Sequence, residues 1–206
     1  MTAPRKPIAV LVSGSGTNLQ ALLDWSHDPT SAFRVAVVVS DRPKVGALGR
    51  ASAAGVPAVV VDWRDQPNRE AFTKAVCDVV DEHGASALVL AGFMRVLAPE
   101  AMARFPAAVI NIHPSLLPSF PGADAVGDAL AHGVKVTGVT VHFAEEQVDH
   151  GPIIAQEAVP VLEDDTRATL QARIQHVEHR VYPQVVQAFA ADRLAIEGRS
   201  VVWETA

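Results

Sequence analysis

A carboxamide and an imidazole two residues apart, Asn111 and His113, close an apolar run in the segment Asn111-Ile112-His113-Pro114-Ser115-Leu116-Leu117-Pro118. On a strand, residues two apart point to the same side. A neutral amide beside an imidazole there makes a pair of donors for an oxyanion that develops during acyl transfer. The same two side chains could instead satisfy backbone groups where the strand ends. A second polar segment is Asp149-His150-Gly151-Pro152. An acid before Gly-Pro serves as a turn former, and within reach of His113 it would also favour an imidazolium. The third segment is the turn Ser13-Gly14-Ser15-Gly16-Thr17-Asn18, between an apolar run and a helical pattern. Amides at a helix start attract anions, and Gly14 and Gly16 let a phosphate come close. A tight turn without ligand is the other reading. The dinucleotide fingerprint fails, because its third glycine would fall on Leu19, although Asp41 stands roughly where a ribose-binding acid would. The triphosphate loop fails for want of a lysine.

Other chemistry-bearing residues give less. His27, His83, His132, His176 and His179 show no metal-ligand spacing, and no metal site is expected. Glu178 lies between two of them on a helical stretch. Cys77, beside Val76, reads as a small core residue.

The elements that must position these groups alternate in type. Ile8 to Val12, Val35 to Val39, Ala58 to Val61, Ala87 to Leu90 and Ala108 to Ile112 read as strands. Helical patterns follow at Leu19, Leu22 and Leu23, at Val45 to Ala54, and at Phe72, Val76, Val79 and Val80. Wholly apolar strands separated by helices predict an open, mostly parallel, twisted sheet covered on both faces. The later part reads differently. Val134 to Phe143 and Pro152 to Val161 predict a long antiparallel pair around the loop 144–151. A long helix follows, capped by Asp164, Asp165 or Thr166, with Leu170, Ile174, Val177 and Val181 on one face. Leu194 to Trp203 predicts a hairpin around Glu197-Gly198. One α/β domain over residues 1–206 is expected, with a phosphate-binding half to about residue 105 and a catalytic half after it.

Composition bounds the answer. The chain has 206 residues, 49% of them hydrophobic and 19% charged, with a formal charge of −6. A chain this long buries roughly 70% of its unfolded surface and needs no covalent staple. No basic excess marks a nucleic-acid binder. No apolar run reaches membrane-spanning length. The run after Met1 to Pro7 is too short for an export signal. A single cysteine excludes an internal disulfide and points to a reducing, cytoplasmic compartment.

Taken together, these segments resemble the folate-dependent phosphoribosylglycinamide formyltransferases. The matching stretches are Val12 to Gln20, Leu90-Ala91-Gly92-Phe93-Met94-Arg95-Val96-Leu97, Asn111 to Pro118, Phe120-Pro121-Gly122, and Thr137 to Phe143 running on to Asp149-His150-Gly151-Pro152. The resemblance implies a Rossmann-like formyltransferase fold. It also implies transfer of the formyl group of 10-formyltetrahydrofolate, as co-substrate, to the amine of glycinamide ribonucleotide in purine biosynthesis. It assigns Asn111 and His113 to the oxyanion and Asp149 to His113 and, through water, to the amine proton. Gly16, Thr17 and Asn18 would hold the phosphate, and Glu178 would lie near the substrate amine. Met94, Arg95, Val96, Leu97 and Val148 would line the folate pocket, and Arg69 would meet the folate tail. Its partners would be small molecules, with neither nucleic acid nor membrane, in a monomer or homodimer.

The chain departs from the family pattern after Pro121-Gly122. Asp124 and Gly127 stand where many relatives carry a histidine and an arginine, and Ser119 where a basic residue is common. Asp124 is therefore expected to add negative charge near a dianionic substrate. Two alternatives follow: a formyltetrahydrofolate hydrolase, or a non-catalytic phosphometabolite binder. Hydrolases of this kind usually carry an extra N-terminal domain, and tRNA-formylating relatives a C-terminal one. A first strand at Ile8 leaves no room for the former, so transfer is the expected reaction.

Overall fold

The computed structural model describes residues 4–204, so the first three residues of the Met1–Pro7 segment lie outside it. Among the described residues nine strands form a single sheet in the order β3-β2-β1-β4-β5-β6-β7-β9-β8. The first five strands are β1 (Lys6–Val12), β2 (Phe33–Ser40), β3 (Ala58–Val60), β4 (Leu88–Leu90) and β5 (Val109–His113). All pairings among them are parallel. Ile8 to Val12 are fully buried one after another. That requires cover on both faces of the sheet, as their unbroken apolar run demands. Each large aliphatic side chain buried in this way contributes about 1.5–3 kcal/mol. The strand order reverses at β1 and β4, and in open α/β sheets a ligand crevice forms beyond the strand ends at such a point.

Helices α1 (Thr17–Ser26), α2 (Gly46–Ala53) and α3 (Arg69–Glu82) fall at the patterned segments. In α3 the side chains of Phe72, Val76, Cys77 and Val80 are buried, so Cys77 is a core residue as expected. β3 differs from the expectation of a buried strand: Ala58 and Val60 are exposed, because β3 is the sheet's edge.

The later part is antiparallel, as expected. β6 (Val136–Phe143) pairs with β5 on one side and with β7 (Ile153–Pro160) on the other. Thr137 to Phe143 are buried without alternation, because β6 lies inside the sheet. Its polar members need partners, and Thr140 has three. The Thr140 hydroxyl donates to the Ser115 carbonyl at 2.7 Å and accepts from Leu117 N–H at 3.0 Å and from Gln156 Nε2 at 2.9 Å. Helices α4 (Pro99–Arg104) and α5 (Ala125–His132) precede β6 and were not expected from periodicity. Both are short, but each carries end signals: Pro99 at the start of α4, and Asp124 and Gly133 flanking α5.

The last helix, α6 (Arg167–Ala190), is capped by Thr166 in a reciprocal bond pair with Thr169. Leu170, Ile174 and Val181 are buried on it. The Tyr182 hydroxyl shares its hydrogen between the carbonyls of Leu90, at 2.9 Å, and Ile110, at 3.1 Å, pinning α6 against β4 and β5. The hairpin of β8 (Leu194–Glu197) and β9 (Ser200–Trp203) joins the sheet through β7.

Candidate active site

A cavity of about 520 Å³ opens beyond the carboxyl ends of β1, β4 and β5. It has the size of a small-molecule site. Three separated stretches wall it: Gly14 to Asn18, Leu90 to Leu97, and a group formed by Asn111, His113, His142 and Asp149.

The first wall is backbone. Gly16 caps α1 in the left-handed conformation, with φ 75°, and among the described residues no side chain caps this helix. The amides of its first turn therefore keep their donors free for an anion. A Cβ on Gly16 would lie 2.7 Å from the Ala47 Cβ, so only glycine fits. Arg50, which the sequence did not single out, donates from Nε to the Ser15 carbonyl at 2.9 Å and brings a cation against this turn. The Asn18 side chain faces elsewhere: its Nδ2 donates to Glu178 Oε2 at 2.9 Å. Glu178 is 5% exposed, and burial pushes its carboxyl above the usual range against the opposing pull of that bond.

The second wall carries the residues that the resemblance assigns to a folate pocket. Met94 and Val96 are exposed at the lip, as is Val148 opposite, while Leu97 is buried. Arg95 donates from Nε to Asp41 at 2.8 Å and lies 5.0 Å over the Trp63 ring. Asp41 is therefore no open ribose acid. Its side chain is wholly buried between Arg42 and Arg95, and despite burial these bonds hold its pKa below the usual value.

The third wall is made of side chains from distant segments. Asn111 and His113 share the cavity side of β5, as their spacing predicts. His113 Nδ1 lies 3.5 Å from Asp149 Oδ2, and His113 Nε2 donates to the Phe120 carbonyl at 2.8 Å. Gly122 N–H donates to Asp149 Oδ2 at 2.8 Å. Burial opposes ionisation of Asp149. The Gly122 amide and the charge of His113 outweigh it and hold the carboxyl below its ordinary value. Asp149 adopts φ 58°, a backbone conformation an acid tolerates better than most residues. His142 was missed from the sequence. It pairs across the ladder with Asn111, and its Nε2 lies 3.1 Å from Asn111 Nδ2 and 3.7 Å from Asp149 Oδ1. Only the register between β5 and β6 reveals it.

Two expectations change. Arg69 begins α3 beside Glu70, 3.5 Å away, and is not among the residues lining the cavity. Asp124 does not line it either. Its Oδ1 caps α5 through Gly127 N–H at 3.2 Å, and the carboxylate pairs with Arg167 at 2.7 Å. Its charge is thus neutralised locally rather than presented to a ligand. A Cβ on Gly127 would lie 2.6 Å from Asp124 Oδ2, so a side chain there would disturb this cap. Among the described residues no three His, Cys, Asp or Glu side chains cluster as a metal set, and no helix is long and apolar enough to cross a membrane.

An open sheet with its crevice at the β1/β4 switch point, an anion-ready turn and an amide–imidazole–carboxylate group define a Rossmann-like group-transfer class. The chain belongs to the formyl transferase family, whose model matches residues 6–186. It is 41% identical over 199 residues to the phosphoribosylglycinamide formyltransferase of Mycobacterium tuberculosis, covering 97% of this chain and 91% of that one. It is 44% identical over 205 residues to the trifunctional purine biosynthetic protein adenosine-3 of Bos taurus, covering 98% of this chain. There the chain spans only 20% of the relative's length. Among solved structures, glycinamide ribonucleotide transformylase 1 from Symbiobacterium toebii superposes with a TM-score of 0.96 at 48% identity, covering 99% of this chain and 96% of that one.

Proposed function

We propose that the protein transfers the formyl group of 10-formyltetrahydrofolate to the amine of glycinamide ribonucleotide. The observation that carries this reading is a single cavity with an anion cradle on one wall and the Asn111–His113–Asp149 group on another. That spacing of functions suits a phosphorylated amine reaching an acyl carbon. The full-length likeness to phosphoribosylglycinamide formyltransferases points the same way.

In this mechanism the free amides of Gly16, Thr17 and Asn18 hold the phosphate, with Arg50 behind them. Glu178 lies near the substrate amine, and the apolar lip of Met94, Val96, Leu97 and Val148, with Arg95, receives the folate. The amine nitrogen bonds to the formyl carbon while the carbonyl oxygen takes up the electron pair. Asn111 stabilises that oxyanion, joined by His113 once its Nε2–H turns from the Phe120 carbonyl to the ligand. Asp149, ionised at neutral pH, keeps His113 in place and accepts the amine proton through water. The oxyanion then returns its electron pair to re-form the carbonyl, the bond from carbon to the folate nitrogen breaks, that nitrogen takes the proton relayed through water from the amine, and tetrahydrofolate leaves. Holding both reactants together replaces a bimolecular encounter, a large share of any such rate enhancement.

Purified protein given both substrates tests this reading. Tetrahydrofolate release that depends on glycinamide ribonucleotide is expected. Release without the ribonucleotide would make the protein a hydrolase, and binding without turnover would make it a binder.

A further inference from the structure

We propose that His142 is a positioning residue: it selects which end of the Asn111 carboxamide meets the reacting carbonyl. The proposal rests on the formyl-transfer reading above. An asparagine side chain turns about a broad, roughly two-fold torsion, so its nitrogen and oxygen ends exchange places at little steric cost. For an oxyanion the two ends are opposites, since N–H stabilises the charge and oxygen repels it. Something must choose between them.

The β5–β6 register sets His142 directly across from Asn111. His142 Nδ1 lies 2.9 Å from the Phe143 carbonyl oxygen, which can only accept, so Nδ1 carries the ring hydrogen. Nε2 is then a lone pair. It lies 3.1 Å from Asn111 Nδ2 and accepts one of the two amide hydrogens. The other N–H remains for the cavity that Asn111 lines. His142 is 1% exposed, so solvent does not compete for the bond. The charged group facing this nitrogen is Asp149, with Oδ1 at 3.7 Å, beyond hydrogen-bond distance, and His113 lies on that carboxylate's other oxygen.

Steady-state kinetics of His142→Phe, His142→Gln, Asn111→Ala and the double variants test this. His142→Phe is expected to lower kcat about tenfold, less than the 10²–10³ of deleting an oxyanion donor outright. The KM values should stay within about threefold, because the lost interaction belongs to the transition state. His142→Gln, whose side-chain oxygen can accept the same bond, should recover most of the loss. In the Asn111→Ala background, replacing His142 should cost nothing further, since its effect runs through that amide. A kcat for His142→Phe within twofold of the parent overturns the proposal, on the scale of that expected tenfold loss. So do losses that multiply in the double variant, which place His142's effect on Asp149 or on the fold. If His142→Phe does not fold, His142→Gln carries the same cycle with its smaller loss. A parent protein without ribonucleotide-dependent turnover removes the underlying reading, and this proposal with it.

Discussion

The two ends of the cavity are built by different means. At the β1–α1 turn the groups offered to a ligand are main-chain amides at an uncapped helix start, shaped by Gly16 within five consecutive lining residues, Gly14 to Asn18. At the opposite wall the candidate catalytic groups are side chains from β5, β6 and the 144–151 loop, each held by another. A backbone cradle tolerates side-chain change and fails when the backbone is forced. A side-chain cluster keeps its backbone and fails atom by atom. The distinction predicts where substitution should cost turnover and where it should cost affinity.

The largest effects should fall on the side-chain wall. His113→Ala and Asp149→Asn are each expected to lower kcat by at least about tenfold, within the range for lost acid–base and oxyanion groups, while the melting temperature stays near the parent's. Parental turnover from either variant would break the assignment. On the cradle the pattern should invert. Thr17→Ala keeps the amides and should change the ribonucleotide KM little. Gly16→Ala must adopt φ 75° with its Cβ against Ala47, a strain of about 1–3 kcal/mol. It should raise the ribonucleotide KM well above the folate KM and lower the melting temperature by several degrees. Equal losses for both substrates would sink the distinction between the two walls.

The same contrast governs what the residue string reveals. The cradle is contiguous, so its strand, glycines and helix start are all local, and all were legible. Asn111 and His113 were legible as a pair because a strand's two-residue period needs no tertiary knowledge. Their distance to Asp149 was a conjecture until the loop after β6 was seen folding back over β5. His142 was hidden because its role depends on the β5–β6 register, set by a connection that carries a helix of its own. That helix, α5, had its signals in plain view at Asp124 and Gly133. A reading that took Asp124 for a charge near the substrate missed a carboxylate already engaged by Gly127 N–H and Arg167. Asp41 misled in the same manner: position along the chain suggested a ligand acid, whereas burial between two arginines makes it a support for Arg95.

Glu178 joins the two regimes, since α6 carries a side chain that bonds α1 at Asn18 and lines the same cavity. It yields the smallest expected effect. Burial raises its carboxyl's pKa in the folded protein, so between the unfolded value and the folded one the native state holds more protons than the unfolded chain. Stability attributable to this group therefore falls as pH rises through that window. Glu178→Gln removes the ionisation and keeps an oxygen for Asn18 Nδ2. Its amide hydrogens can also reach toward Asn18 Oδ1, a buried atom without a partner among the described residues. The variant should melt near the parent below the unfolded carboxyl's pKa and above it by a few degrees once the pH has passed through that window, the gap widening across the window and level beyond it. Thermal melts across that range, without ligand, measure the gap. A constant or shrinking difference would mean that Glu178 stays ionised where it is buried, and that the seam between cradle and cluster is held by charge rather than by a neutral hydrogen bond.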